Sequence, residues 1–137
     1  MTNQDKIKWL RRYRAAAAEQ HRLEGEIETW RSLAEKITPT MSGMPGGGSG
    51  PGRMVSAVEH ILALEEVLAG QISRRTEIRR EIGQTIDSVP DDRLAHLLRL
   101  RYVDGLTWER IAVEMHYSYK QIRRLHGRAL DVLECPI

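Results

Sequence analysis

From Trp9 to Ile37 a stripe recurs at alternating steps of four and three: Trp9, Tyr13, Ala16, Gln20, Leu23, Ile27, Trp30, Ala34 and Ile37. Gln20 is its one polar member. A strand buries every second residue, so it cannot use this spacing, whereas a helix brings all nine positions onto one seam. The reading is one long helix over about residues 5–37, ended by Pro39, because the residue before a proline is pushed out of the helical region. Thr38 to Gly52 is rich in Gly, Pro and Ser and reads as a loop. It has no Gly-Lys-Ser/Thr ending and follows no strand, so it is not read as a phosphate-binding loop. A second helix is expected over about 54–86, with Val58, Ile61, Leu62, Leu64, Leu68, Ile72, Ile78, Ile82 and Ile86 forming a face wider than one stripe. Two long helices joined by a short loop fold back antiparallel. That pairing sets Trp30 near Ile61, Leu23 near Leu68 and Trp9 near Ile82, with a poor middle where Ala16 and Gln20 meet Arg75 and Ile72. A two-helix core is small, so the surplus apolar face of the second helix predicts a second copy and a helical-bundle dimer.

Pro90 followed by Asp91-Asp92 marks a boundary and caps a further helix. The expected partition is a coiled-coil oligomerisation hairpin over 1–90, with its loop at 38–52, and a separate domain over 91–137. In the second part, Gly105 stops one helix and Thr107 caps the next, which carries Ile111, Ala112 and Met115 on one face. His116-Tyr117-Ser118 breaks the run. Ser118-Tyr119-Lys120-Gln121 has the pattern of a capping box that opens another helix. Ile122, Leu125, Ala129 and either Leu130 or Val132-Leu133 form its apolar face. Its other face shows Lys120, Arg123, Arg124 and Arg128, and no Asp or Glu occurs from Lys120 to Leu130. A small residue at the crossing, a tight turn and a basic second helix describe a helix-turn-helix.

The residues from Leu97 through Arg101-Tyr102 and Gly105 to Thr107-Trp108-Glu109-Arg110-Ile111-Ala112 resemble region 4 of sigma-70-type factors. In that family a Leu-Arg-Leu-Arg-Tyr segment leads into a helix opening Ser/Thr-Trp/Tyr-Glu. Together with the Met44-Pro45-Gly46-Gly47-Gly48 stretch and the helix from Met54, the chain is similar to small phage-encoded regulators of the ArpU/RinA late-activator type. His116 stands where the turn of this motif usually has glycine, and histidine tolerates a left-handed backbone better than most residues. The resemblance implies an all-α protein that binds double-stranded DNA as a homodimer in the cytoplasm of a bacterial host, with host RNA polymerase as a further partner. The chain is too short to hold a promoter-melting domain as well.

In this reading the helix from Ser118 enters the major groove. Tyr119, Lys120, Gln121, Arg123 and Arg124 are the candidates for base edges and nearby phosphates, with Gln121 also claimed by the capping box. Thr107, Arg110 and Arg128 suit phosphates, which position a reader without conveying sequence. Trp108 is expected to pack at the core edge, and the Arg74-Arg75 and Arg79-Arg80 pairs, interleaved with Glu77 and Glu81, to form a solvated face. The net charge of +2 excludes little; the clustering of charge carries the argument. The five histidines and single cysteine share no ligand spacing, so no metal or cofactor is expected. No catalytic constellation stands out, and no enzyme is expected. Ala15 to Ala18 is too short and too closely flanked by charge for a signal peptide, and no run approaches the ~20 apolar residues of a membrane span. Two other readings compete: a small terminase-like packaging protein, which would form a ring, and a coiled-coil adaptor without DNA binding.

Overall fold

The computed structural model describes residues 1–43 and 50–136; side chains are described outside residues 37–43 and 50–51. Six helices follow one another: α1 (Asn3–Leu10), α2 (Arg12–Gly43), α3 (Gly50–Asp87), α4 (Asp92–Tyr102), α5 (Trp108–Met115) and α6 (Tyr119–Val132). The architecture is all-α, as the periodicities predict. The first expected helix is interrupted once, at Arg11, where α1 ends, although Ala15 N–H still bonds the Arg11 carbonyl at 3.1 Å. Thr2 opens α1 through a capping box with Asp5.

Pro39 does not end α2, which continues to Gly43. A proline's φ near −65° is itself helical, so the chain can stay helical at the loss of one N–H donor. α3 starts at Gly50 and takes Pro51 in its first turn, where the missing N–H had no intrahelical partner. α2 and α3 thus run into both ends of the expected 38–52 loop, and Met44–Ser49, which hold three of its six glycines, lie outside the described residues.

By internal contact the chain divides into Met1–Ala17 with Arg75–Ile137, and Ala18–Arg74. This differs from a partition at Pro90, and the reason is the core of the first unit. Leu10, Tyr13 and Ala16 from the N-terminal helices share one apolar cluster with Ile78, Ile82, Ile86 and Val89. The cluster continues through Leu94, Leu97 and Leu98 of α4, Ile111 of α5, and Ile122, Ala129 and Leu133 around α6. Leu10, Ile82, Ile86, Leu97, Leu98, Ile111 and Ile122 are all completely inaccessible. Four short helices of 8–14 residues cannot enclose so much apolar surface without the ends of longer ones. Arg12 adds an ion pair to Glu81 at 2.8 Å, and Arg75 donates to the Tyr13 hydroxyl at 3.0 Å.

In the second unit Leu23, Ile27 and Ala57 are buried. The Trp30 ring meets that of His60 at 4.3 Å between centroids, one residue from the expected neighbour Ile61, and Arg31 pairs with Glu65 at 2.5 Å. The wide apolar face of α3 is thus split in its fate. Ile78, Ile82 and Ile86 enter the core of the first unit, whereas Val58, Leu62 and Ile72 stay exposed, as do Val55 and Val67. Among the described residues no helix is long and apolar enough to cross a membrane.

Candidate nucleic-acid interface

Asp91 opens α4, its carboxylate accepting from Arg93 N–H at 2.9 Å and Leu94 N–H at 3.4 Å. α4 ends ahead of Gly105, whose φ of 72° lies in the left-handed region. Thr107 then caps α5, its hydroxyl accepting from Arg110 N–H at 3.2 Å. α5 buries Ile111 and Ala112 and packs on α6. Ala112 is the small residue that lets the two helices approach.

The turn between α5 and α6 is made by His116, with φ 59° and ψ 41°, the one non-glycine with positive φ among the described residues. Tyr117 N–H bonds the Ala112 carbonyl at 3.0 Å and His116 N–H the Val113 carbonyl at 3.3 Å. These two bonds form a Schellman turn, the usual place for a left-handed glycine. The His116 side chain is exposed, and its Cβ carries the strain of a left-handed backbone that a glycine would not have. His116→Gly is expected to stabilise the protein by ~0.5–1 kcal/mol, read as a higher melting temperature. A lower one would show that the imidazole makes a stabilising contact.

Ser118 starts α6 through the predicted capping box. Gln121 N–H donates to Ser118 Oγ at 3.1 Å, and Ser118 N–H donates to Gln121 Oε1 at 2.9 Å. That oxygen is engaged, so Ser118 and Gln121 act first as the start of the helix. Leu130 and Leu133 complete the inward face, while Val132 is half exposed and lies outside it.

At roughly 100° per residue, Arg124 lies opposite the Ile122–Leu125–Ala129 face, with Lys120 and Gly127 beside it. Arg128 and Gln121 occupy one flank and Arg123 the other. Arg123 and Arg124 therefore do not share a position, although adjacent in sequence. Lys120, Arg124 and Arg128 are exposed and make no ion pair among the described residues. Tyr119 is half exposed at the helix start. Arg123 instead lays its guanidinium on the Trp108 ring, 4.9 Å from the centroid. Arg110 makes a long ion pair with Glu114 at 3.7 Å. So Lys120, Arg124 and Arg128 present charge outward, Ser118 and Thr107 are caps, and Arg123 is held aside.

Sequence reasoning missed His126. It is one helical turn beyond Ile122 and is buried, with Nε2 2.7 Å from the Tyr102 hydroxyl and its ring 4.5 Å from that of Trp108. Burial, and then the charges of Arg123, Arg101 and Arg11, hold its pKa down to about 4. Burial likewise pushes the Tyr102 phenol upward. The signal was available in the spacing, since positions 122, 126, 129, 130 and 133 all fall on the inward side of α6.

A second basic surface lies along the end of α3, in an open groove lined by Arg75, Arg79, Arg80 and Arg99 with Tyr13. The chain neutralises part of it, since Arg80 pairs with Glu77 and Arg99 with Asp87 at 2.8 Å, while Arg75 is held by the Tyr13 hydroxyl.

No curated protein and no solved structure matches this chain. Residues 91–134 do match a family model, that of Sigma-70, region 4. The match begins at the Asp91 cap and ends one residue beyond Leu133, which closes the core. About the last third of the chain is therefore a sigma-70 region 4-like domain, a helix-turn-helix of the DNA-binding kind.

Proposed function

We propose that this protein is a sequence-specific transcriptional regulator that inserts α6 into the major groove of double-stranded DNA and acts on phage late genes in the bacterial cytoplasm. The observation that carries the reading is the outward face of α6. Lys120, Arg124 and Arg128 stand exposed, with no ion pair among the described residues, on a helix whose start is held by a capping box and whose opposite face is locked in the core. Charge left unpaired on a rigid helix is what a groove reader requires, because Arg can pair with guanine O6 and N7 only when it is not already neutralised. Arg124 reads bases with Lys120 beside it, and Tyr119 stands at the helix start. Arg128, a turn further on, meets the backbone, as do Thr107 and Arg110 at the start of α5.

The test is affinity for a specific and a scrambled duplex across a salt series. Arg124→Ala is expected to cost ~1–3 kcal/mol on the specific site and to relax preference at one base position. Arg128→Ala is expected to weaken both duplexes equally and to flatten the salt dependence by a slope of ~1. Full affinity in both variants, with the fold intact, would return the chain to the coiled-coil adaptor reading.

The exposed Val58, Leu62 and Ile72 on α3 support assembly with a second copy. The full chain is expected to run as a dimer in light scattering, and Leu62→Glu to make it a monomer. A ring of many copies would favour the packaging-protein reading instead. RNA polymerase is the protein partner that the region 4 resemblance implies.

A further inference from the structure

The charge around Trp108 differs from that of the α3 groove because the chain does not neutralise it. Arg101 and Arg123 both stack on the Trp108 indole, 4.3 and 4.9 Å from its ring centroid. Arg101 also donates to the Leu106 carbonyl at 3.0 Å, which fixes it beside the turn before α5. The next residue back in that turn is Gly105, and a Cβ built there would collide with the guanidinium of Arg14. Arg11, where α1 ends, is near enough for its charge to act on His126, whose ring is 4.5 Å from the same indole, and on Tyr102, which bonds His126. Two arginines thus lie on the indole, a third stands beside the Gly105 turn, and the charge of a fourth reaches the buried His126. No ion pair joins any of them to a carboxylate among the described residues.

Such a gathering is unfavourable for the free protein, since like charges repel and the ring's negative face offsets only part of that repulsion. A bound anion would relieve it. α5 also begins here, with Trp108 as its first helical residue, so the positive end of its dipole lies close to the same ring. Arginine suits an anion site built on an indole, because its planar fork stacks on an aromatic ring and bonds two phosphate oxygens at once.

We propose that Arg101 and Arg123, stacked on Trp108, form with Arg11 and Arg14 an anchoring site for a backbone phosphate of the DNA that α6 reads. The proposal rests on the reading of α6 as the DNA-reading helix. It makes Arg123 an anchor rather than a base reader, and Trp108 the residue that positions it. It also brings the N-terminal helices, which lie outside the sigma-70 region 4 match, into DNA binding.

The test uses the full chain, the same two duplexes and the same salt series. Arg11 and Arg14 are both exposed, so their joint replacement by alanine leaves the core intact, which a melting curve checks. The double variant is expected to weaken specific and scrambled DNA by the same factor and to reduce the salt slope by ~1–2. Arg123→Ala is expected to do likewise with a slope change of ~1, and to leave base preference unaltered. Trp108→Leu, which keeps every charge, is expected to weaken both duplexes at low salt, and Trp108→Phe to restore much of the loss. Unchanged affinity and slope in the Arg11/Arg14 variant, while Arg124→Ala still loses base preference, would overturn the anchor and leave DNA reading standing. A loss confined to the specific duplex at constant slope would overturn it too. If the unaltered protein binds neither duplex at low salt, the anchor and the proposed function fall together.

Discussion

Leu10→Ala is expected to lower the unfolding free energy of the unit that carries α6 by about 2–5 kcal/mol, the cost of removing a fully enclosed leucine side chain. Leu10 lies far ahead of the sigma-70 region 4 match in sequence, yet it is completely buried in the cluster that also holds Ile82, Leu97 and Ile122. Contacts from the same helix reach α6 itself. Lys6 donates to the Leu130 carbonyl at 2.7 Å, in the last turn of that helix, and Asn3 bonds the Asp131 carboxylate at 3.0 Å. Carbonyls in a last turn have no intrahelical donor, so a lysine placed there satisfies one and complements the helix dipole. The measurement is denaturant unfolding of the full chain followed by circular dichroism, with Lys6→Ala as a milder companion. An unchanged midpoint for Leu10→Ala would mean that residues 91–134 are stable without the N-terminal helix. The expectation extends to truncation: a chain starting at Asp91 loses Leu10, Tyr13, Ile78, Ile82 and Ile86 from its core and should not fold on its own. A chain ending at Val89 strips the same cluster from the other side, so assembly is better tested on the full protein.

The second large effect is on pH. His126 has a folded pKa of about 4 against an ordinary value of 6.5. A histidine whose pKa is depressed by folding binds its proton more readily in the unfolded chain. Stability is therefore fully present above pH 6.5 and is lost as the pH falls toward 4. The shift is worth on the order of 3 kcal/mol over that window. Burial is the larger cause, followed by the repulsion of Arg123, Arg101 and Arg11. His126→Gln keeps a polar group opposite the Tyr102 hydroxyl and cannot titrate. The stability of this variant should fall less steeply between about pH 7 and 4.5, and the difference between the two curves isolates the histidine from carboxylates titrating nearby. Parallel curves would show that the imidazole is solvated in the folded protein. The same experiment bears on the anchor: a phosphate bound beside Arg123 and Arg101 would cancel part of their repulsion, so DNA should soften the pH dependence.

Local chemistry made much of the sigma-70 region 4-like domain legible. Asp91, Thr107 and Ser118 each open a helix because a short oxygen-bearing side chain reaches the first free N–H groups, and that geometry depends on a few consecutive residues. His116 was identifiable as the left-handed turn residue by its place between two such signals. The inward face of α6 followed from helical spacing, apart from His126, whose polarity hides it from a pattern of apolar residues. The two long helices were likewise visible in their stripes, although their ends near Pro39 and Pro51 were not. Proline restricts a helix without always forbidding it, and the outcome depends on what the rest of the chain gains.

Where the long helices deliver their ends is a matter of tertiary packing. At roughly 100° per residue Ile78, Ile82 and Ile86 fall on a different side of α3 from Val58, Leu62 and Ile72, but both sets are aliphatic and spacing alone does not say which side the core takes. The first set is buried in the core that α4, α5 and α6 share, and the second is exposed. Likewise no local rule brings Arg101 and Arg123 onto one indole, because they come from separate helices whose meeting is settled by how the core closes. The helices, their caps and the basic face of α6 arise from interactions within a few residues, and so they can be read from the chain alone. The union of Met1–Ala17 with the sigma-70 region 4-like helices comes instead from burial across long separations in sequence, which periodicity does not record.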